Sequence, residues 1–232
     1  MNIAEIGLNH LGNHKLAKKY VRELCSVEKL DGLTFQVREK EHRERKPELY
    51  FDLFHYEGLC RLVEDSGKSF GVTLSDGELL YFFESIGVHF YKVIRDGVFN
   101  RDFLTSLGKT GKKILVSVGL CNHEQLLELV DFLDCVDGDF VLIYTNRDSV
   151  ELGNLDLSYI SEMKRHWDKV GYGSHCKDPL NLALASSYSP SDILFYVKDD
   201  ELNEKFPDDV WAIDLSKVSQ ILEYIDKEKI IK

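Results

Sequence analysis

The stretch AEIGLNHLG, residues 4–12, decides how the chain folds. Side chains alternate along a β-strand, so Glu5, Gly7 and Asn9 share one face and the apolar residues share the other. A half-exposed strand would turn its polar face to water. Here a helical pattern follows at once, and the same order of strand and then helix returns along the whole chain.

Eight β-rich runs alternate with eight helical patterns. The predicted strands span 2–8, 32–37, 69–75, 90–95, 113–118, 139–145, 169–174 and 192–198. The predicted helices lie near 14–28, 47–66, 76–86, 100–109, 122–135, 156–168, 177–188 and 214–229. Strict alternation predicts a parallel sheet, and eight units in about 230 residues fit an α/β fold, a (β/α)8 TIM barrel. We predict one such domain over residues 1–232.

A doubly wound open sheet is the alternative fold. It would favour a glycine-rich phosphate turn after the first strand, and GLNHLG, residues 7–12, lacks the GxGxxG spacing. In a barrel both faces of each strand are buried, so Glu5 would point inward and need a partner. Barrel active sites form at the C-terminal mouth, so a polar inward face that runs toward this mouth indicates chemistry.

Composition narrows the function classes. The formal charge of −11 argues against a nucleic-acid footprint, and the mixed-charge stretch REKEHRERK, residues 38–46, is predicted to be a solvated loop. No run approaches the ~18 apolar residues of a membrane helix, and the first residues lack signal-peptide features. Five scattered cysteines without a CxxC pair predict reduced thiols and a cytoplasmic protein.

Strand parity assigns further polar side chains to the barrel interior. They are Thr34, Gln36 and Arg38 on strand two, Lys92 with Arg95 on strand four, Ser117 on strand five, Asn146 in line with Tyr144 on strand six, His175 after strand seven, and Tyr196 with Lys198 on strand eight. Each has a purely structural alternative: Lys92 as an ion-pair partner of Glu5, for example, or His175 as a satisfied core histidine. Ser117 and Asn146 could equally satisfy backbone groups at strand ends. Their common position at one mouth favours a shared site.

Several motifs resemble one enzyme family. IAEIGLNHLGNHKLAKK, residues 3–19, closely resembles the first strand and helix of the sialic acid synthases, which condense phosphoenolpyruvate with an amino-sugar aldehyde. Weaker agreement lies in DGLTFQ (31–36), IGVHFYKV (86–93), LGKTGKKILVSVGL (107–120), GYGSHC (171–176) and FPDDVWAIDLSKV (206–218). The resemblance implies a cytoplasmic transferase of surface-polysaccharide biosynthesis. The chain stops after its eighth helix, so we expect it to lack the family's C-terminal antifreeze-like domain.

The resemblance implies roles position by position. Glu5 matches a glutamate proposed to handle protons, while Lys92 and Ser117 match groups that hold the phosphate of phosphoenolpyruvate. Arg95 and Arg38 are predicted to add positive charge for that phosphate, because an arginine can anchor an anion. The predicted substrate contacts are Asn9, Gln36 and Asn146. His175 matches one of two histidines that bind manganese or magnesium.

Departures from the family set limits on the chemistry. Thr34 stands where the family has a second phosphate lysine, and Tyr196 stands where it has the second metal histidine. A tyrosine is a poor ligand for such a metal at neutral pH. Glu5, His10 and Asp199 are the nearest substitute ligands, and none is well placed. We therefore expect a metal-free mouth or a weakly bound divalent ion coordinated mostly by water.

Three functions follow from these residues. The first is a sialic-acid-synthase-like condensation of phosphoenolpyruvate with an amino-sugar or related aldehyde. The second is a barrel that binds a sugar or phosphate ligand without condensing it. The third is a metal-free aldolase that uses Lys92 as a Schiff-base nucleophile. Small-molecule substrates are expected in each case, with a homodimer or a separate lid-domain chain as candidate protein partners.

Overall fold

A computed structural model of the protein describes residues 1–145 and 151–230, the last five of them by backbone only. Its strands are β1 (Asn2–Gly7), β2 (Gly32–Val37), β3 (Ser69–Leu74), β4 (Phe90–Val93), β5 (Lys113–Ser117), β6 (Asp139–Tyr144), β7 (Val170–Ser174) and β8 (Ile193–Lys198). Neighbours in this order pair in parallel, and β1 also pairs with β8. The sheet therefore closes, and the predicted TIM barrel is confirmed.

Helices follow the strands and cover the outside of the barrel. They are α1 (His14–Cys25), α2 (Lys40–Arg45), α3 (Phe54–Asp65), α4 (Leu80–Ser85), α5 (Arg101–Gly108), α6 (His123–Leu133), α7 (Tyr159–Met163), α8 (Leu180–Ser186) and α9 (Val218–Ile230). Asn122 caps α6 as predicted, and its side chain accepts a hydrogen bond from the Gln125 backbone while the Gln125 side chain bonds back. Most predicted helices are shorter in the structure; residues 76–79, for example, form bends and turns, and α4 begins only at Leu80.

One local prediction was wrong, and one short strand was not predicted. The charged stretch 38–46 is not a loop throughout, since residues 40–45 form the short helix α2, stabilised by a hydrogen bond from Arg43 to the Arg38 carbonyl oxygen (2.5 Å). An additional two-residue strand, β9 (Ile213–Asp214), pairs with the end of β8. Both features depend on contacts outside their own segment, which sequence periodicity does not report.

The barrel interior is layered along its axis. Its lower part is an apolar cluster of Ile3, Phe90, Leu115, Val141, Ile143 and Leu194. Two residues further along the same strands the side chains become polar: Ile3 gives way to Glu5, Phe90 to Lys92, and Leu194 to Tyr196. Inward-facing side chains recur every two residues along a strand. The inward face of the barrel therefore changes from apolar to polar as it approaches the C-terminal mouth.

Gly71 on β3 makes room for the aromatic ring in the lower layer. A Cβ atom built at Gly71 would lie 2.2 Å from the Phe90 ring, so no larger residue fits without moving it. The space freed is filled by a large apolar side chain, which closes the lower barrel and leaves the polar groups at the upper end.

A second and larger apolar core lies between the barrel and the helices, as expected for strands buried on both faces. All five cysteines are free thiols. No helix among the described residues is long and apolar enough to cross a bilayer.

Candidate active site at the barrel mouth

A polar pocket of about 330 Å³ opens at the C-terminal ends of the strands. Its lining residues are Gln36, Lys92, Ile94, Arg95, Ser117, Gly119, Leu120, Thr145, His175, Tyr196, Asp208 and Trp211. Six of these, namely Gln36, Lys92, Arg95, Ser117, His175 and Tyr196, are among the residues that strand parity selected from the sequence. Strands β2, β4, β5 and β7 thus bring their ends to one pocket, as parity and barrel closure require.

Lys92 and Glu5 form a buried ion pair at the base of the pocket. The Lys92 ammonium donates a hydrogen bond to Glu5 Oε1 at 2.5 Å, and the two side chains are 4% and 3% exposed. Each charge provides the partner that the other needs in a low-dielectric interior. The structural role considered for Lys92 from the sequence, an ion pair with Glu5, is therefore confirmed. Lys92 also lines the pocket.

Arg95 brings a second positive charge to the pocket. It is exposed, and its guanidinium makes no hydrogen bond or ion pair with any described residue. Its backbone is left-handed, with φ of +56°, an uncommon conformation for a residue other than glycine that often marks functional segments. The left-handed residue directly follows the β4 end and Ile94, where the chain leaves the barrel wall.

Thr34, where the resembling family has a lysine, does not supply a charge. It is buried, and its hydroxyl lies 3.2 Å from the Thr73 hydroxyl on the neighbouring strand. Thr73 in turn stands beside Lys92 in the register of β3 and β4. The hydroxyl pair therefore places neutral groups on β2 and β3, between the strands that carry Glu5 and Lys92 and level with them.

Tyr196 forms one side of the pocket base. The Lys92 ammonium lies 5.7 Å from the centre of the Tyr196 ring, a cation–π distance. Burial raises the pKa of the phenol well above 10, and the nearby Glu5 and Asp208 carboxylates add to this effect. Tyr196 is therefore a neutral phenol at any physiological pH.

Asp208 lies beside Tyr196, next to Gly7. Gly7 has a φ of +56°, and a Cβ atom built on it would meet both Asp208 Oδ2 and the Tyr196 ring at 3.0 Å. Burial raises the pKa of the Asp208 carboxyl to about 7, with Glu5 adding to the shift and Lys92 opposing it. Asp208 can therefore gain or lose a proton near neutrality.

Asn9 fixes the segment that carries Asp208. Its side-chain amide donates to the Val197 carbonyl oxygen (2.8 Å), and its amide oxygen accepts from the Asp208 backbone (3.1 Å). Trp211 of the same segment stacks on His175, with ring centres 4.7 Å apart and planes 14° apart. Asn9 is fully buried, so its observed contacts are with the backbone and not with the pocket.

The donor set does not fit a strongly bound divalent metal. His175 is stacked on Trp211, Tyr196 is a neutral phenol, and Glu5 is bonded to Lys92. Within residues 1–145 and 151–230, no group of three or more His, Cys, Asp or Glu side chains is placed to hold a metal ion. The substitutes considered from the sequence lie elsewhere: His10 is buried beside Phe51, and Asp199 binds Lys19.

Other predicted residues stand apart from the pocket. Arg38 does not line it, because its guanidinium is bonded to Glu39 (2.6 Å), which also accepts from Ser75 (2.7 Å). Lys198 is paired with Asp209 at 2.7 Å. Asn146 falls outside the described residues.

Sequence reasoning missed Asp208 and Trp211 as pocket residues. Both lie beyond the eighth strand, in a segment without regular structure, where strand parity makes no assignment. The signal available was FPDDVWAIDLSKV, residues 206–218, which carried the family resemblance. Asn9 and His175 hold that segment at the pocket through the hydrogen bond to the Asp208 backbone and the stacking on Trp211.

Comparison with known proteins finds similar sequences over most of the chain. The profile of the NeuB family matches residues 18–229. Human N-acetylneuraminate-9-phosphate synthase is 24% identical over 196 residues, which cover 75% of this chain and 55% of that protein. The N,N'-diacetyllegionaminic acid synthase of Campylobacter jejuni is 23% identical over 212 residues, 79% of this chain and 63% of the relative. The chain thus spans between about half and two thirds of these two relatives.

A solved structure has the same barrel. The N-acetylneuraminic acid synthetase of Leptospira borgpetersenii, crystallised with citrate, superposes with a TM-score of 0.90 at 20% identity. The match covers 99% of this chain and 84% of that protein. At this identity the likeness establishes the fold.

Proposed function

Because the chain belongs to the NeuB family, we propose that its mouth pocket joins phosphoenolpyruvate to the carbonyl carbon of an amino-sugar aldehyde or a related aldehyde. The observation that carries this proposal is the meeting of Arg95, the Lys92–Glu5 pair and Ser117 around one cavity. The names of the two relatives, both synthases of amino-sugar acids, support the substrate class.

Arg95 is proposed to bind the phosphate group. A guanidinium offers two parallel N–H donors to phosphate oxygens, and that of Arg95 is not engaged by any described residue. Ser117, at the end of β5, adds a hydroxyl donor on the same pocket wall. The Lys92 ammonium attracts the substrate less strongly than a lone lysine would, because Glu5 already balances its charge.

The proposed reaction balances without any further reactant except water. The π electrons of phosphoenolpyruvate form a bond from its C3 to the aldehyde carbon, and the aldehyde oxygen takes up a proton. Water then adds to C2 and gives up one proton, and the C2–O bond to phosphate breaks. The second proton of that water leaves with the phosphate, and a 2-oxo acid remains.

Glu5 is proposed to act through Lys92. The pair is short and shielded from solvent, so a proton can move between the ammonium and the carboxylate as charge changes on the substrate above it. This makes Glu5 a positioning residue, since it lies behind Lys92 and not among the lining residues.

Any divalent ion at this mouth is proposed to be weakly held and coordinated mostly by water, with His175 as a single protein ligand. The stacking of His175 on Trp211 and the neutral Tyr196 phenol support this. We place the reaction in the cytoplasm, since all five thiols are free.

The direct test is phosphate release from phosphoenolpyruvate. Purified protein is incubated with phosphoenolpyruvate and N-acetylmannosamine, with and without manganese, and the 2-oxo acid product is identified by mass spectrometry. We expect stoichiometric phosphate and 2-oxo acid, with both strongly reduced in the Arg95→Ala variant at phosphoenolpyruvate concentrations below saturation. No turnover with any of a panel of phosphorylated and unphosphorylated amino-sugar aldehydes would contradict the proposal.

A second candidate is a barrel that binds such ligands without condensing them. The Thr34–Thr73 hydroxyl pair favours it, because neutral groups lie where the resembling family has a phosphate lysine. Binding of phosphoenolpyruvate in titration calorimetry without any phosphate release would support this alternative over the condensation.

A further inference from the structure

The hydroxyl of Tyr196, a residue of the pocket wall, has no hydrogen-bond partner among the described residues. The Tyr196 side chain lines the pocket, and its hydroxyl makes no hydrogen bond with a described residue. By contrast the Lys92 ammonium is bonded to Glu5, and the His175 ring is stacked on Trp211. Tyr196 therefore brings an uncharged O–H donor without a described partner to the cavity wall, whereas the unengaged Arg95 guanidinium and the Ser117 hydroxyl are assigned to the phosphate.

The proposed condensation needs such a donor. As the carbon–carbon bond forms, negative charge develops on the aldehyde oxygen, and a positioned hydrogen-bond donor or a cation must stabilise it. The side chains around this pocket do not form a strong metal site in the described part of the chain. A hydrogen-bond donor of the protein can supply this stabilisation.

We infer that the Tyr196 hydroxyl donates a hydrogen bond to the carbonyl oxygen of the aldehyde substrate and transfers its proton as the carbon–carbon bond forms. This inference rests on the proposed function. The aldehyde oxygen becomes a hydroxyl and Tyr196 becomes a phenolate. The phenolate then takes the proton that the attacking water gives up at C2, so the enzyme returns to its starting state.

The surroundings of Tyr196 stabilise both its phenol and its phenolate form. Burial and the carboxylates of Glu5 and Asp208 keep the phenol protonated before reaction, so the donor is present at every working pH. The Lys92 ammonium at 5.7 Å from the ring and the Arg95 guanidinium on the same pocket supply positive charge when the phenolate forms. The negative state is therefore brief but stabilised.

The test compares two tyrosines on neighbouring strands. Tyr196→Phe removes the pocket hydroxyl and keeps the ring. The matched control is Tyr172→Phe on β7, where the buried hydroxyl donates to Asn181 (2.9 Å) away from the pocket. We expect kcat to fall about 100-fold or more in Tyr196→Phe, within the range for a general acid, with the KM for phosphoenolpyruvate little changed. Tyr172→Phe should keep its activity within about threefold.

Metal is examined in the same preparations. We expect wild-type turnover to survive dialysis against a chelator, and we expect manganese titrations followed by electron paramagnetic resonance to show only weak binding to wild type, which His175→Ala weakens further. Full activity in Tyr196→Phe would overturn the inference. A full equivalent of manganese that wild type binds and His175→Ala loses, together with chelator-sensitive activity, would overturn it as well.

A binding measurement separates this inference from the proposed function. Calorimetric titration with N-acetylmannosamine, in the presence of inorganic phosphate, requires no turnover. We expect about two- to tenfold weaker binding to Tyr196→Phe than to wild type or Tyr172→Phe, the effect of one neutral hydrogen bond. If turnover is absent but this difference is found, only the condensation fails. If turnover is present and Tyr196→Phe matches wild type, only the tyrosine assignment fails, and no binding to wild type would overturn both.

Discussion

The two ends of the barrel each carry a lysine–carboxylate pair, and the pairs have different neighbours. At the C-terminal mouth, Lys92 and Glu5 are both almost fully buried. At the opposite end, Lys113 bonds Asp192 at 2.6 Å, with Lys113 25% exposed and Asp192 fully buried. The apolar layer that includes Leu115 lies between them.

The difference lies in what borders each pair. Above Lys92 lies a cavity with the cationic Arg95, the neutral phenol of Tyr196 and the titratable Asp208. The Lys113–Asp192 pair closes the end of the barrel where TIM-barrel residues serve stability. The same chemical pair therefore belongs to a site in one place and to the scaffold in the other: the upper pair borders the pocket, whereas Asp192 in the lower pair also lies 3.3 Å from the N-terminal ammonium of Met1.

The largest expected effect comes from breaking the upper pair. Lys92→Met leaves Glu5 charged and buried without a partner, so we expect the free energy of unfolding to fall by about 3–5 kcal/mol. Urea unfolding followed by circular dichroism measures it. The double variant Glu5→Leu with Lys92→Met removes both charges and should recover most of that loss. A double variant less stable than Lys92→Met would contradict this account.

The second-largest expected effect is on anion binding, which should differ between the two ends of the barrel. Arg95→Ala is expected to weaken phosphoenolpyruvate binding by about 1.5–3 kcal/mol, the range for a hydrogen bond to a charged group. Titration calorimetry measures it, with Lys113→Met as the control that should bind like wild type. Equal affinity of Arg95→Ala and wild type would remove Arg95 from the phosphate site.

The lower pair should matter for stability alone. Lys113→Met leaves the Asp192 carboxylate without this donor, and we expect a loss of about 1–3 kcal/mol in the free energy of unfolding. The loss should be smaller than for Lys92→Met because Lys113 is partly in solvent, where charges interact more weakly. A loss as large as that of Lys92→Met, in the same urea series, would mean that exposure does not distinguish the pairs.

The smallest expected effect is a pH dependence at the mouth. Asp208 has a pKa of about 7 in the folded protein, so it is neutral at pH 6 and ionised at pH 8. Sulfate, a dianion at both values, should bind more weakly at pH 8, by about fivefold for ~1 kcal/mol of repulsion. Asp208→Asn should lose this difference in calorimetry, whereas the same pH dependence in the variant would assign it to another group.

The raised pKa of Asp208 also determines the direction in which the free energy of unfolding changes with pH. The folded-state pKa of Asp208 lies above the usual 3.8, so between about pH 4 and pH 7 the folded protein holds a proton that the unfolded chain has lost. Stability linked to Asp208 therefore falls as pH rises through this window. Asp208→Asn removes the contribution, and its stability relative to wild type should increase from pH 4 to pH 7 in urea unfolding.

Much of the fold could be predicted because it depends on short-range repeats. The two-residue strand repeat and the alternation with helices gave the eight barrel strands, and Asn122 identified the start of α6. The helix α2 escaped prediction because its six residues are too few for a hydrophobic pattern. Strand β9 escaped because two residues carry no periodicity.

The site could be predicted only in part. Parity assigned Gln36, Lys92 and Ser117 to the inside, and barrel closure then brings them together. Arg38 has the same parity but turns to Glu39 beyond the end of β2, where strand alternation no longer directs side chains. Parity also put Asn9 on the polar face, yet the chain leaves β1 after the left-handed Gly7, and Asn9 binds backbone groups.

The sequence by itself determined the barrel, its polar mouth and the family, because strand alternation and the opening motif are local and are read directly from neighbouring residues. Only the tertiary structure decided which polar groups are engaged. It bonded Lys92 to Glu5 across the barrel, placed Tyr196 on the wall of the cavity, and brought Asp208 to Gly7 from a segment about 200 residues away. Such contacts join distant parts of the chain, and they form only when the sheet closes and fixes the distances between its strands.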